Sequence, residues 1–163
     1  MMKEMIEQDF SPHSKVWIYQ SERPFSAGET EMLNKALSDF VKSWTAHNQQ
    51  LKGVGKVIED RFILLMVDET QATASGCSID TSVKFMKKLA AELQVDFFNR
   101  FLFSFRTPAG IVTRSVSDAS SLLRDGHIDN KTEVFNCLVF SKAEFDAGFV
   151  TTFENSWLKQ YIN

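Results

Sequence analysis

Ser75-Gly76-Cys77-Ser78-Ile79-Asp80-Thr81-Ser82 gathers a thiol, several hydroxyls and a carboxylate into one short stretch. It stands directly before Val83-Lys84-Phe85-Met86, where apolar residues begin to recur with a helical period. Backbone N–H groups at such a helix start point outward and favour an anion or a thiolate. Two chemistries follow. In the first, Ser75, Gly76, Ser78 and Asp80 line an anion site, with Arg106 and His47 as charge complements. In the second, Cys77 is a nucleophile, His47 or His13 is its base, and the loop amides stabilise an oxyanion. Plainer alternatives stand beside both. Cys77 is then a small buried core residue above a Gly76 turn, and Ser78 or Asp80 is a helix N-cap. Asp68 and Glu69 read as metal or acid–base groups, or as solvated acids ending a strand. His47 equally suits a helix C-terminus, and Arg106 an ion pair with Asp68 or Glu69.

Other chemistry is missing. There is no Gly-x-x-x-x-Gly-Lys-Ser/Thr, no Gly-x-Gly-x-x-Gly and no Gly-x-Ser-x-Gly. Three scattered histidines and two separated cysteines give no zinc spacing, so neither a metal nor a cofactor is expected. Cys137 falls within an apolar run and reads as core.

The elements that must position these residues are legible in outline. Lys15-Val16-Trp17-Ile18-Tyr19 predicts a strand. Ser26-Ala27-Gly28-Glu29 is a capping box, opening a helix over residues 27–46 with Leu33, Leu37, Phe40 and Trp44 on one face. Gly53 and Gly55 read as a loop. Lys56-Val57-Ile58-Glu59 and residues 62–67 form a hairpin around Asp60-Arg61, although that is not a favoured turn pair. A second helix, 80–93, presents Ile79, Val83, Met86, Ala90 and Leu93, and residues 99–106 form a strand with Phe101, Phe103 and Phe105 on one face.

This β-α-β-β-α-β order predicts a ferredoxin-like α+β core over residues 15–106, an antiparallel sheet with both helices on one face. Residues 62–67, apolar throughout, suit a central strand buried on both sides. Residues 107–163 read as a C-terminal αβα elaboration of the same single domain: a helix at 117–124, a strand at 133–140 and a helix at 150–162. That tail is expected to cover the open sheet face or its edge, with a dimer interface there as the alternative. The topology carries a geometric claim. His13, Lys15, Trp44, His47, Asp68, Glu69, residues 75–82 and Arg106 should share one rim of the layer.

Composition bounds the partners. The chain has 163 residues, 44% hydrophobic and 24% charged, which fits one globular domain able to bury a core. Fifteen Phe residues point to a Phe-rich core or an aromatic-lined pocket. A net charge of −3 without a basic run argues against nucleic acid. The longest apolar run falls short of a membrane span, and the charged N-terminus (Lys3, Glu4, Glu7, Asp9) does not read as a signal peptide. Two cysteines outside any Cys-x-x-Cys pair suggest a reducing cytoplasm.

Val16-Trp17-Ile18-Tyr19 with Arg23, Trp44-Thr45-Ala46-His47, residues 75–80 and Phe98-Asn99-Arg100 together resemble one group of small bacterial proteins commonly labelled "ABC transporter ATPase". The likeness spans roughly residues 15–106. The label implies a phosphate-cradling loop, a magnesium-holding acid and a Leu-Ser-Gly-Gly-Gln signature. The chain lacks the loop, and only Ser75-Gly76 echoes the signature, so its residues argue against ATPase activity.

Three functions remain. The first is a small-ligand, anion-binding or regulatory module at the loop opening the second helix. The second is a thiol enzyme using Cys77, and the third a structural protein that dimerises through a Phe-rich surface. Gly76 is also expected to sit where a side chain is unwelcome, so that Gly76→Ala costs about 1 kcal/mol or more and Cys77→Ser costs less.

Overall fold

The computed structural model describes residues 9–162; the N-terminal reading of Lys3, Glu4 and Glu7 falls outside them. The architecture is mixed α+β. A three-stranded antiparallel sheet runs in the order β1 (Lys15–Gln20), β5 (Phe62–Asp68), β4 (Lys52–Ile58). Every residue of β5 is buried, because its alternate side chains enter two different cores. Ile63 and Leu65 meet Leu33 and Leu37 of α1 (Ala27–Ser43) and Met86, Leu89 and Leu93 of α2 (Gly76–Leu93). Phe62, Leu64 and Met66 meet Phe135, Val139, Phe145 and Phe149 on the opposite face. Residues from the last third of the chain thus cover the face that the helices leave open.

Local chemistry fixes the elements. Ser26 caps α1, and Glu29 returns the capping-box bond at 2.9 Å. The helix ends at Ser43, three residues short of the expected 46. Trp44 turns to extended backbone there, and its indole N–H donates to the Ser78 carbonyl at 2.9 Å. His47 and Asn48, at φ 51° and 64°, then make the left-handed turn of a small hairpin, β2 (Thr45–Ala46) with β3 (Gln49–Gln50). The β4–β5 turn is likewise left-handed, at Glu59 and Asp60 rather than Asp60-Arg61, with φ 56° and 51°. Gly53 and Gly55 lie within β4, not in a loop.

α2 begins at Gly76, four residues before the expected start, because Ser75 caps it. Its buried face is Ser78, Ser82, Met86, Leu89 and Leu93 instead of the stripe through Ile79 and Val83. The two serines tolerate burial by donating to the Ser75 and Ile79 carbonyls at 2.8 and 2.6 Å.

The sheet order departs from the ferredoxin-like expectation. Strand β6 (Leu102–Thr107) does not return beside β1 but joins a second sheet in the order β7 (Gly110–Ser115), β6, β8 (Glu133–Phe135), β9 (Val150–Thr152). The Gln20 side chain, and not a main-chain ladder, links β1 to β6. Gln20 donates to the Leu102 carbonyl at 3.0 Å and accepts from Ser104 Oγ at 2.9 Å. Phe103 and Phe105 are buried in the second core, while Phe101, before the strand, is 67% exposed.

The tail also differs in detail. A 3-10 turn (Val116–Asp118) precedes α3 (Ala119–Arg124). β8 stops at Phe135, so Cys137 lies after the strand. α4 (Lys142–Gly148) follows, and 3-10 turns at Phe153–Asn155 and Trp157–Tyr161 replace the expected final helix. Among the described residues no helix is long and apolar enough to cross a membrane.

Candidate functional site

Two places compete for a functional role: the start of α2 and a cleft beside β1. At the helix start the cap is closed on itself. Ser75 Oγ accepts from the Ser78 amide at 3.1 Å, and Ser78 Oγ accepts from the Ser75 amide at 2.7 Å. The Ala74 amide donates to Glu69 at 2.8 Å, and Glu69 also pairs with Lys15 at 3.4 Å. Gly76, Cys77 and Asp80 are exposed, whereas Ser78 is buried. Ser75 is therefore the N-cap, and Asp80 stands one turn into the helix.

Asp68 is buried and used as a strap. It accepts from the Ser11 and Thr70 amides at 2.9 and 3.0 Å and lies 3.6 Å from Lys52 Nζ. Burial alone would raise its pKa, but those hydrogen bonds and the lysine hold it below its ordinary value.

The expected rim is only partly assembled. Trp44, residues 75–78 and the Glu69–Lys15 pair do converge at one end of β5. His13 and His47 are exposed in turns, and among the described residues no hydrogen bond joins Cys77 Sγ to either imidazole. Arg106 stands elsewhere. It pairs with Glu133 at 2.8 Å and with Glu59 at 3.7 Å, and Glu59 belongs to the turn at the other end of β5 from Asp68. Strand β6 carries it there by entering the second sheet. Cys137 is half-covered, and desolvation of its thiol pushes the pKa up to about 12, far from nucleophilic. No group of three or more His, Cys, Asp or Glu among the described residues could hold a metal ion.

The cleft is the larger feature, about 620 Å³, a size typical of small-molecule and short-peptide sites. It opens along the side of β1 that does not pair with β5. Val16, Trp17, Ile18, Tyr19 and Gln20 form its floor. Val83 and Lys87 of α2, the 97–102 segment, and residues 137–140 with Phe135 and Trp157 form its walls. Phe98, Leu138 and Phe140 are 39%, 62% and 69% exposed on it. Tyr19 meets Phe98 edge-on with ring centroids 5.6 Å apart. Lys87 and Arg100 are its charged lining residues, both exposed, and neither has an ion-pair partner among the described residues.

The sequence marks Val16-Trp17-Ile18-Tyr19 as a strand, Asn99-Arg100 as the start of another and both strings as carriers of a resemblance, but not as the lining of a site. The ferredoxin-like expectation set the fourth strand against the first, in the space the cleft occupies. No protein-family model, curated protein or solved structure matches the chain.

Proposed function

We propose that this protein is a binding module whose site is the cleft beside β1, and that its ligand joins an apolar body to an anionic group. The observation that carries this reading is the lining itself: aromatic and aliphatic walls, with Lys87 and Arg100 lacking acidic partners among the described residues. Apolar walls favour burial of an apolar body at roughly 25 cal/mol per Å². The two cations give an anion a place to bind that no carboxylate among the described residues fills. The anion-binding role expected at Ser75, Gly76, Ser78 and Asp80 finds stronger support here, because the α2 cap already uses its serine hydroxyls and two of its amides. The Cys77 enzyme reading lacks a base in contact with the sulfur among the described residues.

The test compares decanoate with decanol, which keeps the chain and drops the charge. Decanoate should raise the melting temperature of the parent in a saturable way, decanol should do so less, and Arg100→Glu should abolish the difference. Equal responses to decanoate in parent and Arg100→Glu would sink this reading.

A further inference from the structure

Strand β1 offers the cleft more than side chains. The Ser21 amide donates to the Arg61 carbonyl at 2.9 Å, toward β5, whereas the Val16 amide donates to the Phe140 carbonyl at 3.1 Å, away from it. In an antiparallel ladder the direction alternates residue by residue. Lys15, Trp17 and Tyr19 therefore bond to β5, while Val16, Ile18 and Gln20 turn their main-chain groups outward. Val16 is met by Phe140 at one end, beside the Lys15–Ser141 bridge, and the Gln20 side chain reaches Leu102 at the other. Between them the Ile18 N–H and C=O face the cleft, with no hydrogen-bond partner among the described residues.

We infer that the occupant of the cleft is an extended acidic peptide segment of a partner protein, which adds to the outer edge of β1 as a short strand. This rests on the cleft being the binding site and names what binds there. An open edge presents a periodic row of donors and acceptors that another main chain matches. From Val16 to Gln20 the row spans about 14 Å at the usual strand rise, room for three or four peptide residues. Alternate side chains of the added strand would meet Phe98, Leu138 and Phe140, and its acidic groups would meet Lys87 and Arg100. A second copy of this chain fits poorly. β1 is recessed between the Phe140 and Leu102 segments, so two such edges cannot approach each other, and the unpaired cations of the two copies would repel.

The test uses a fluorescein-labelled peptide of alternating valine and glutamate, seven residues long. Its two controls carry N-methyl groups on alternate amides or lysine in place of glutamate. Anisotropy with the full-length protein should show saturable binding of the acidic peptide. Either control should bind about tenfold or more weakly, the loss expected from removing two main-chain bonds or a charge-assisted contact. Exchange of the Ile18 amide, followed by NMR, should slow at least about tenfold on saturation. Ile18→Pro deletes the outward donor while sparing the β5 ladder, and Arg100→Glu leaves the edge intact; each should weaken the acidic peptide.

Equal binding of the N-methylated peptide, or unchanged Ile18 exchange at saturation, overturns the strand-addition inference. Decanoate binding without peptide binding overturns it too, but leaves the cleft reading standing. If neither probe binds, both fall. A dimer in light scattering that dissociates on Ile18→Pro would replace the peptide with a second copy.

Discussion

Gly55 faces Leu37 across the α1–β4 contact, and a Cβ built there would lie 3.1 Å from Leu37 Cβ and 3.1 Å from Leu65 Cδ2. The first of these is anchored at its own backbone and cannot swing aside. Gly55→Ala should therefore lower stability by about 1–3 kcal/mol, the usual cost of overpacking, measured by urea unfolding. Gly76 is the opposite case. Nothing lies within 4 Å of its would-be Cβ, and its φ is not in the left-handed region, which corrects the expected cost of substitution. As the first residue of α2 it should gain from alanine, so Gly76→Ala is expected to stabilise by about 0.5 kcal/mol. Cys77→Ser, on an exposed side chain, should be neutral within about 0.5 kcal/mol. Melting the three variants beside the parent checks this order, and a damaging Gly76→Ala would contradict it. The sequence drew attention to the wrong glycine because close approach is a tertiary property, while a Ser-Gly-Cys string is conspicuous on its own.

At the scale of elements, the capping box of α1 does two jobs. Glu29 accepts from the Ser26 amide at 2.9 Å and from both terminal nitrogens of Arg23 at 2.8 and 2.9 Å. Arg23 in turn donates to the Leu93 carbonyl at 2.8 Å, tying the start of α1 to the end of α2. The arginine first, and the Ser26 amide next, lower the Glu29 carboxyl from 4.5 to about 2. Because the folded value lies below the unfolded one, the stabilisation is fully present above about pH 4.5 and fades as pH falls toward 2. The melting temperature of Glu29→Gln should lie below the parent's at pH 6, and the gap should close by about pH 2. A gap of constant size across that range would show that the charge is not what matters. This box was legible in the sequence because its residues are local. β1, both long helices and the buried strand were legible for the same reason, through period and β-branched content. The expected helix at 150–162 failed on tertiary grounds. Phe153, Trp157 and Tyr161 do recur every four residues, but Val150–Thr152 pairs with β8, and Thr152, Asn155 and Ser156 favour local bonds over helix.

A buried seam joins the two larger sheets, one part aromatic and one part polar. Phe62 of the first sheet lies 4.9 Å from Phe135 and 5.3 Å from Phe149, ring centroid to centroid, beneath the second. Three of the fifteen Phe residues meet in this seam, and sequence could supply the count but not the pairing. The polar part runs from Arg61 to β1. Arg61, 6% exposed, donates to Thr113 Oγ1 at 2.8 Å and to the Glu22 and Ile111 carbonyls at 3.2 and 3.1 Å. The Ser104 hydroxyl spends its proton on Gln20, so Thr113 must donate to Ser104 across their 2.7 Å contact. Arg61 has no carboxylate partner among the described residues, and desolvation lowers its pKa. Removing it leaves three part-buried acceptors without their donor and a void between the sheets. Arg61→Ala should cost about 2–4 kcal/mol, the sum of lost charge-assisted bonds and a cavity, and Arg61→Met, which keeps the volume, should cost less. Because the Phe62–Phe135–Phe149 contact survives either change, urea unfolding followed by circular dichroism and by tryptophan fluorescence should remain coincident, with only the midpoint lowered. Curves that separate in Arg61→Ala would mean that the polar seam, and not the aromatic one, couples the two sheets.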